Sequence, residues 1–291
     1  MKAKYLNLFT DFGFKKIFGE EANKNLLIDF LNALLPIKSK IKDLTFKNTE
    51  LLGQTSLDRK VVYDIYCENE VGEKFIVELQ KAKQNFFKER TIYYSTFPIR
   101  EQAEKGEWNY NLKAVYCIGI LDFTFKDYGN EAEFKQVVHD IKLRNPEGIT
   151  FYDKLSYIYL EMPNFHKTEG ELETRLDKWL YFIKNLEDFQ SIPKIFKDEV
   201  IFLEAFEKAE LAKFNREELD NYEANLKPYR DLYSVIETAK SDGKKEGFQD
   251  GIIEGEKIAK LKMARTLKEN GLSLDSILKF TGLSEDEINA L

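Results

Sequence analysis

The sequence contains few of the residues on which several enzyme classes depend. Its 291 residues include two histidines and two cysteines, so a metal centre built from a histidine-rich or cysteine-rich cluster is excluded. The chain also has no phosphate-binding Gly-Lys loop and no Gly-x-Ser-x-Gly element. Their absence argues against a P-loop nucleotide hydrolase and against a serine hydrolase. The chemistry of this protein has to be sought among other residue types.

Long hydrophobic runs are missing as well. No stretch approaches about 18 uncharged apolar residues, so a membrane span is not expected. The first residues, MKAKYLNLFTDFGFKK, lack the apolar core of a signal peptide, which predicts a cytoplasmic protein. Cys67 and Cys117 lie far apart within strand-like apolar segments. We expect them to be buried thiols without a metal or redox role.

Hydrophobic residues make up 43% of the chain and aromatic residues 14%, ample for a packed core, while the formal net charge is −7. The acidity is unevenly distributed along the chain. Residues 1–165 carry 24 basic and 24 acidic side chains, residues 166–238 carry 11 and 17, and residues 239–291 carry 9 and 10. We predict that these three segments are separate domains. The first segment has no net charge from its acidic and basic side chains, which is compatible with a nucleic-acid-binding face.

The most informative segment is VVYDIYCENEVGEKFIVELQKAK, residues 61–83. Its two halves, Val61–Cys67 and Phe75–Leu79, have the β-branched and aromatic composition of strands. A three-residue loop from Glu70 to Gly72 would place Gly72 where such a hairpin needs a left-handed residue. The segment therefore predicts a β-hairpin.

The register of this hairpin brings acidic side chains together. It pairs Asp64 with Glu78 and Tyr66 with Ile76. Because side chains alternate between the two faces of a strand, Asp64, Glu78 and Gln80 would lie on one face. The same register pairs Asn69 with Glu73 and Val62 with Gln80. The opposite face would be apolar, formed by Tyr63, Ile65, Cys67, Phe75, Val77 and Leu79. Two opposed carboxylates are destabilising by themselves, and a bound cation would relieve the repulsion; a solvated hairpin face is the alternative.

A group of cations follows the hairpin. Lys81, Lys83, Lys88 and Arg90 accompany one acid between Gln80 and Arg90. They predict either contact with a phosphate backbone or a solvated helix start. Lys81 is expected to point away from Asp64, because neighbouring strand residues alternate. Lys83 could approach only if the strand ends at Gln80.

Three segments, TDFGFKKIFG, DRKVVYDIYCENEVGEKFIVELQKAKQ and RTIYYSTFPIREQAEKG, resemble the Rpn family of recombination-promoting nucleases, the PD-(D/E)XK nuclease family transposases. The resemblance runs from about residue 5 to about residue 165, with a weaker likeness to the C-terminus. By this resemblance Asp64 matches the strand aspartate, Glu78 the acid of the (D/E)-x-K element and Gln80 its lysine position. Gln80 is a departure, since an amide can orient water or phosphate by hydrogen bonding but supplies no charge.

The resemblance implies a fold, an activity and a cofactor. The fold would be α/β, a PD-(D/E)XK (restriction-endonuclease-like) mixed-sheet core flanked by helices, with a C-terminal all-helical extension. The activity would be that of a DNA endonuclease linked to recombination or mobile elements. Asp64 and Glu78 would bind Mg²⁺ or Mn²⁺, which prefer oxygen ligands. Gln80 would position water or phosphate, while Lys83 and Arg90 would contact DNA. The alternative is a catalytically silent relative that binds DNA or regulates a protein partner.

The predicted element order agrees with such a core. A helix within residues 8–35, a strand in KDLTFKNTEL and the hairpin come first. A helix over residues 86–106 follows, which Pro98 should kink or break. Strands in LKAVYCIGILDFTF and FYDKLSYIYLEMP complete an α-β-β-β-α-β order. On the helix after the hairpin, Arg90, Tyr94, Arg100 and Gln102 are expected near the active site, and Tyr93 and Phe97 are expected in the core.

The remainder of the chain is predicted to be helical. Residues 166–238 lack a strand pattern and predict a helical subdomain, either structural or dimer-forming. Gly243, Gly247, Gly251 and Gly255 recur every four residues. They predict either a flexible linker or a helix packed closely on a partner, such as a second copy of the chain. The last 30 residues predict short helices that suit a helix-turn-helix or a protein-contact module.

Overall fold

A computed structural model describes residues 3–36, 40–51, 61–103, 106–125 and 135–291. The chain divides into two compact units, Met1–Tyr229 and Arg230–Leu291. The three-domain division predicted from the sequence, with boundaries after residues 165 and 238, stays a prediction.

The α-helices are α1 (Asp11–Phe18), α2 (Lys24–Leu34), α3 (Phe87–Arg100), α4 (Arg175–Asn185), α5 (Val200–Ala209), α6 (Arg216–Glu269), α7 (Leu274–Thr281) and α8 (Glu285–Asn289). Short 3-10 turns are Glu21–Asn23, Met162–Asn164, Glu169–Glu171, Leu186–Asp188, Lys194–Phe196 and Leu211–Lys213. The strands are β1 (Leu44–Phe46), β2 (Glu50–Leu51), β3 (Val61–Val62), β4 (Ile65–Asn69), β5 (Lys74–Gln80), β6 (Val115–Leu121), β7 (Val138–Arg144) and β8 (Thr150–Glu161).

The first unit is built on a six-stranded mixed sheet with the order β1-β4-β5-β6-β8-β7. The central strands β5, β6 and β8 are parallel, whereas the pairs β1–β4, β4–β5 and β7–β8 are antiparallel. Strands β2 and β3 form a separate two-stranded ribbon. This mixed sheet with flanking helices confirms the predicted α/β, PD-(D/E)XK-like core.

The two faces of the sheet bury different side chains because alternate residues of β5 point in opposite directions. Phe75, Val77 and Leu79 belong to the larger core, which α1, α2, α4, α5 and the start of α6 complete. Ile76 faces a smaller core that includes Phe97 of α3. The sheet therefore has one face under the N-terminal helices and one under α3.

The hairpin formed by β4 and β5 has the predicted turn. Gly72 adopts a φ of 85°, and Asn69 donates its backbone N–H to the carbonyl oxygen of Glu73 over 3.0 Å. The register pairs Tyr66 with Ile76, as predicted. This part of the sequence-based hypothesis is confirmed.

Two predictions about the start of the hairpin are wrong. Val62 pairs with Glu50 of β2 instead of Gln80. Tyr63 belongs to the core under α3, with Tyr66 and Ile76, and not to the face that carries Ile65. The cause is a bend at Asp64 between β3 and β4, because alternation of faces holds only within a continuous strand.

In the second unit, the end of α6 packs with α7 and α8 around Ala264, Ile277, Leu283 and Ile288. The glycine-striped segment is helical, being part of α6. A Cβ atom added at Gly243, Gly247, Gly251 or Gly255 would have no described atom within 4 Å. Within the residues that the structure describes, no helix combines the length and apolar character needed to cross a membrane.

Candidate active site

Asp64 and Glu78 lie together where the pairing of β4 and β5 ends. The last backbone pair is Ile65 with Val77. Beyond it, the backbone N–H of Asp64 donates to Oε1 of Glu78 over 3.2 Å. The backbone N–H of Leu79 donates to Oδ2 of Asp64 over 2.7 Å. The two carboxylates thus take the place of backbone acceptors at the end of the ladder, which fixes their positions.

The environment of this pair is unfavourable to two negative charges. Burial, and next the negative charge of Asp64, raise the pKa of Glu78 to about 8. Burial raises the pKa of Asp64 too, although the hydrogen bond from Leu79 opposes the change. Pairs of titratable groups with perturbed pKa values are typical of functional sites. The arrangement favours either a shared proton or a bound cation.

Lysines on the α1 side interact with the pair. The charge of Lys15 lowers the pKa of both Asp64 and Glu78. Lys81 is close enough to Asp64 and Asp11 for their charges to raise its pKa, against the larger lowering effect of burial. Lys81 therefore lies within electrostatic range of Asp64, and the prediction that its side chain points away from Asp64 stays a prediction. Because β5 ends at Gln80, strand alternation does not determine the direction of Lys81.

Gln80, at the end of β5, is engaged by protein groups at both ends of its amide. Its Nε2 atom donates to the carbonyl oxygen of Ala82 over 2.9 Å. Its Oε1 atom accepts a hydrogen bond from the guanidinium of Arg90 on α3. In this structure the amide of Gln80 thus connects the strand to a cation on the neighbouring helix.

Arg90 lies on the α3 side of Glu78. Its guanidinium also donates to Oε1 of Gln84 and lies over the rings of Phe87, 5.3 Å away, and Tyr94, 5.8 Å away. The positive charge of Arg90 lowers the pKa of Glu78. Lys83 is placed on the exposed segment between β5 and α3. Arg90 therefore lies close enough to Glu78 for its positive charge to act on that carboxyl group.

Other predictions for α3 have mixed outcomes. Tyr94, expected near the site, is half-buried and its pKa is raised by burial, then by the charge of Glu78. Phe97 is buried as expected, whereas Tyr93 is 42% exposed and is not a core residue. The helix continues through Pro98 and ends at Arg100.

Asp64 lines a cleft of about 430 Å³ on the side of α1. Lys15, Lys16 and Lys47 contribute its cations, and Asn221 and Asn225 of α6 contribute amides. These lysines have acidic neighbours: Lys15 lies 3.0 Å from Asp11, Lys16 lies 2.7 Å from Glu218, and Lys47 lies 3.2 Å from Glu68. Sequence reasoning missed this cleft, because its walls come from segments far apart in the chain. The TDFGFKKIFG segment carried the signal for Lys15 and Lys16, but nothing in it indicated which strand they face.

The carboxylate pair fits a divalent cation. Oδ1 of Asp64 and Oε2 of Glu78 accept no hydrogen bond from the described residues, so one oxygen of each acid is available to a ligand. Among the described residues, no group of three or more His, Cys, Asp or Glu side chains is arranged to hold a metal. Two carboxylates completed by water and substrate oxygens suit Mg²⁺, which dehydrates reluctantly.

The mixed sheet, its flanking helices and the acids at the end of its central hairpin define an α/β protein of the PD-(D/E)XK nuclease class. The chain belongs to the PD-(D/E)XK nuclease family transposases, whose family model matches residues 8–239. The model of the Rpn/YhgA-like nuclease family, C-terminal HTH domain, matches residues 257–291. The resemblance predicted from the sequence is confirmed. No curated protein and no solved structure gives a match.

Proposed function

We propose that this protein is a metal-dependent DNA endonuclease that hydrolyses phosphodiester bonds during recombination or the movement of genetic elements. The observation that carries the proposal is the pairing of Asp64 and Glu78: the carboxylate of Glu78 accepts from the backbone N–H of Asp64, and that of Asp64 accepts from the backbone N–H of Leu79 beside Glu78. Membership in a nuclease family supports the reaction class. The metal is supported by two opposed carboxylates, one of which lines the cleft beside α1.

Asp64 and Glu78 would hold Mg²⁺ or Mn²⁺ through their available oxygens. When bound, such an ion polarises a phosphoryl oxygen and lowers the pKa of a bound water. The cleft beside Asp64 would admit a nucleic acid strand to that carboxylate. Its lysines, together with Lys83 and Arg90, would contact phosphates and hold the strand, as basic side chains do in nucleic-acid-binding proteins.

The test is a cleavage assay on supercoiled and linear DNA with Mg²⁺, Mn²⁺ or EDTA. Asp64→Asn and Glu78→Gln remove one charge each while keeping the side-chain shape. Asp198→Asn removes an exposed acid between α4 and α5 and is the matched control. The proposal expects metal-dependent cleavage by the wild type and the control, and a loss of about 100-fold or more in each active-site variant.

Two rival functions give different results in that assay. A catalytically silent relative would bind DNA without cutting it under any metal condition, and the amide of Gln80 in the lysine position supports this rival. A protein-interaction scaffold would neither bind nor cut. Binding measured by fluorescence anisotropy in EDTA, beside the cleavage assay, separates the three functions.

The C-terminal unit supports a second part of the proposal. Its match to a helix-turn-helix model supports DNA binding, and the exposed face of α6 supports a homodimer. Beside the glycines, Phe248, Ile252 and Ile253 are 70%, 47% and 66% exposed. Analytical ultracentrifugation tests the dimer: Ile252→Ser should shift the wild-type dimer towards monomer. A monomeric wild type at micromolar concentration contradicts this part alone.

A further inference from the structure

Arg90 and Gln80 form a unit beside the acidic pair. The two residues are ten positions apart, and α3 begins between them after Phe86, whose φ is 61°. Arg90 donates its backbone N–H to the carbonyl oxygen of Phe86 over 2.9 Å, so it lies in the first turn of the helix. The left-handed conformation of Phe86 turns the chain sharply at the start of α3, and this places Arg90 next to Gln80 at the end of β5.

The guanidinium of Arg90 is fixed from several directions. Gln80 and Gln84 accept its hydrogen bonds, and the rings of Phe87 and Tyr94 pack against it at 5.3 and 5.8 Å. Hydrogen-bonded and ring-stacked contacts of this kind suit the planar guanidinium and not an ammonium group. Arg90 is therefore held in place without a carboxylate bonded to it among the residues that the structure describes, and its positive charge lowers the pKa of Glu78.

We propose that Arg90 supplies from α3 the positive charge that the (D/E)-x-K pattern places on the strand, and that Gln80 is the positioning residue that holds it there. The inference rests on the proposed nuclease function. Its ligand would be the non-bridging oxygens of the phosphate to be cleaved, because the flat N–H donor edge of a guanidinium matches two oxygens at once. In that case the amide of Gln80 has a role in the site, which is to position Arg90.

The alternative cation is Lys81. It interacts with Asp64 from the α1 side, whereas Arg90 interacts with Glu78 from the α3 side. The two assignments differ in what a lysine placed at position 80 should do. If Arg90 supplies the charge, such a lysine restores activity lost in Arg90→Met and not activity lost in Lys81→Met. If Lys81 supplies the charge, the reverse holds.

The experiment compares Arg90→Met, Gln80→Lys and the double variant Gln80→Lys/Arg90→Met with Lys81→Met and Gln80→Lys/Lys81→Met, the corresponding pair for the alternative cation. Methionine keeps most of the packing of Arg90 on Phe87 and Tyr94. We expect Arg90→Met to lower kcat about 100-fold, and Gln80→Lys alone to lower it about 10-fold because two cations would then compete for one position. The double variant should return to within about 10-fold of the wild type.

A readout independent of cleavage is the salt dependence of DNA binding in EDTA. The logarithm of the DNA-binding constant falls linearly with the logarithm of the salt concentration. Loss of one phosphate contact makes this slope less steep by about 1. We expect that change in Arg90→Met, its reversal in the double variant, and no change in Asp198→Asn. A thermal melt of each variant shows whether it folds. If Arg90→Met does not fold, Arg90→Lys replaces it. Arg90→Lys is expected to keep the salt dependence of the wild type and to lose most of kcat.

The inference is overturned if Arg90→Met keeps kcat within about threefold of the wild type, or if Lys81→Met loses activity that a lysine at position 80 restores. A wild type that cleaves no DNA under any metal condition contradicts the nuclease proposal instead. In that case the salt slopes still decide whether Arg90 and a lysine at position 80 contact the same phosphate.

Discussion

Asp64 donates its backbone N–H to Oε1 of Glu78 over 3.2 Å, so the main chain of one acid holds the side chain of the other. The reciprocal bond, from Leu79 beside Glu78 to Oδ2 of Asp64, closes the arrangement. Hydrogen bonds from backbone groups fix both carboxylates before any ligand binds. A site prepared in this way keeps its geometry while its two charges repel each other.

The repulsion predicts a pH-dependent penalty in the metal-free protein. The pKa of Glu78 is raised from 4.5 to about 8, so the folded state holds a proton there that the unfolded state has released. Stability should therefore fall as pH rises from about 4.5 to 8. Glu78→Gln should be more stable than the wild type at pH 8 by about 1 kcal/mol or more, equivalent to about 2–4 °C in Tm, and nearly equal to it at pH 5.

Thermal melts in EDTA at both pH values measure this effect. Asp198→Asn, which removes an exposed acid, should show no such pH-dependent gain. A Glu78→Gln variant that melts below the wild type at pH 8 would contradict the assignment of Glu78 as a destabilised acid.

Tyr63 provides a test of how α3 is attached to the sheet. Its hydroxyl donates to the backbone carbonyl oxygen of Tyr94 over 2.9 Å, and its ring lies 5.5 Å from the ring of Tyr94. Tyr63→Phe should lower the free energy of unfolding by about 1 kcal/mol, and Tyr63→Ala by about 3–5 kcal/mol. Urea denaturation measures both changes. Tyr110→Phe, at a side chain that is 76% exposed, should change little, and an equally small effect of Tyr63→Ala would refute the buried position.

Two glycines should respond in opposite ways to alanine. Gly72 has a φ of 85° in the hairpin turn, so Gly72→Ala should destabilise the first unit by about 1–2 kcal/mol. Gly247 is helical, with no described atom near an added Cβ, so Gly247→Ala should stabilise α6 by up to about 1 kcal/mol in a monomer. Circular dichroism melts check both values. A destabilising Gly247→Ala would show instead that another helix packs closely on that face.

Local patterns made much of the hairpin predictable. A turn with one glycine at the required position sets the register of Tyr66 against Ile76, because the strands on both sides alternate without interruption. The same reasoning failed at Tyr63, because the chain bends between β3 and β4. A face assignment by alternation is valid only inside the strand, and strand ends are set by tertiary contacts that the sequence does not display.

Other parts of the structure depend on contacts between distant segments. Strand β7 escaped prediction because most of its residues are exposed at the sheet edge, and Ile141 and Leu143 are 38% and 50% exposed. The cleft beside Asp64 brings together α1, β1 and α6. The contact of Gln80 with Arg90 depends on the tight entry into α3, which no spacing rule indicates.

Metal binding by Asp64 and Glu78 is tested most directly by titrating Mn²⁺ into the metal-free protein without DNA, with electron paramagnetic resonance as the readout. We expect one saturable site in the wild type and in Asp198→Asn, and at least a tenfold loss of Mn²⁺ affinity in Asp64→Asn and Glu78→Gln. Unchanged Mn²⁺ binding in both active-site variants would contradict the assignment of Asp64 and Glu78 as the metal ligands.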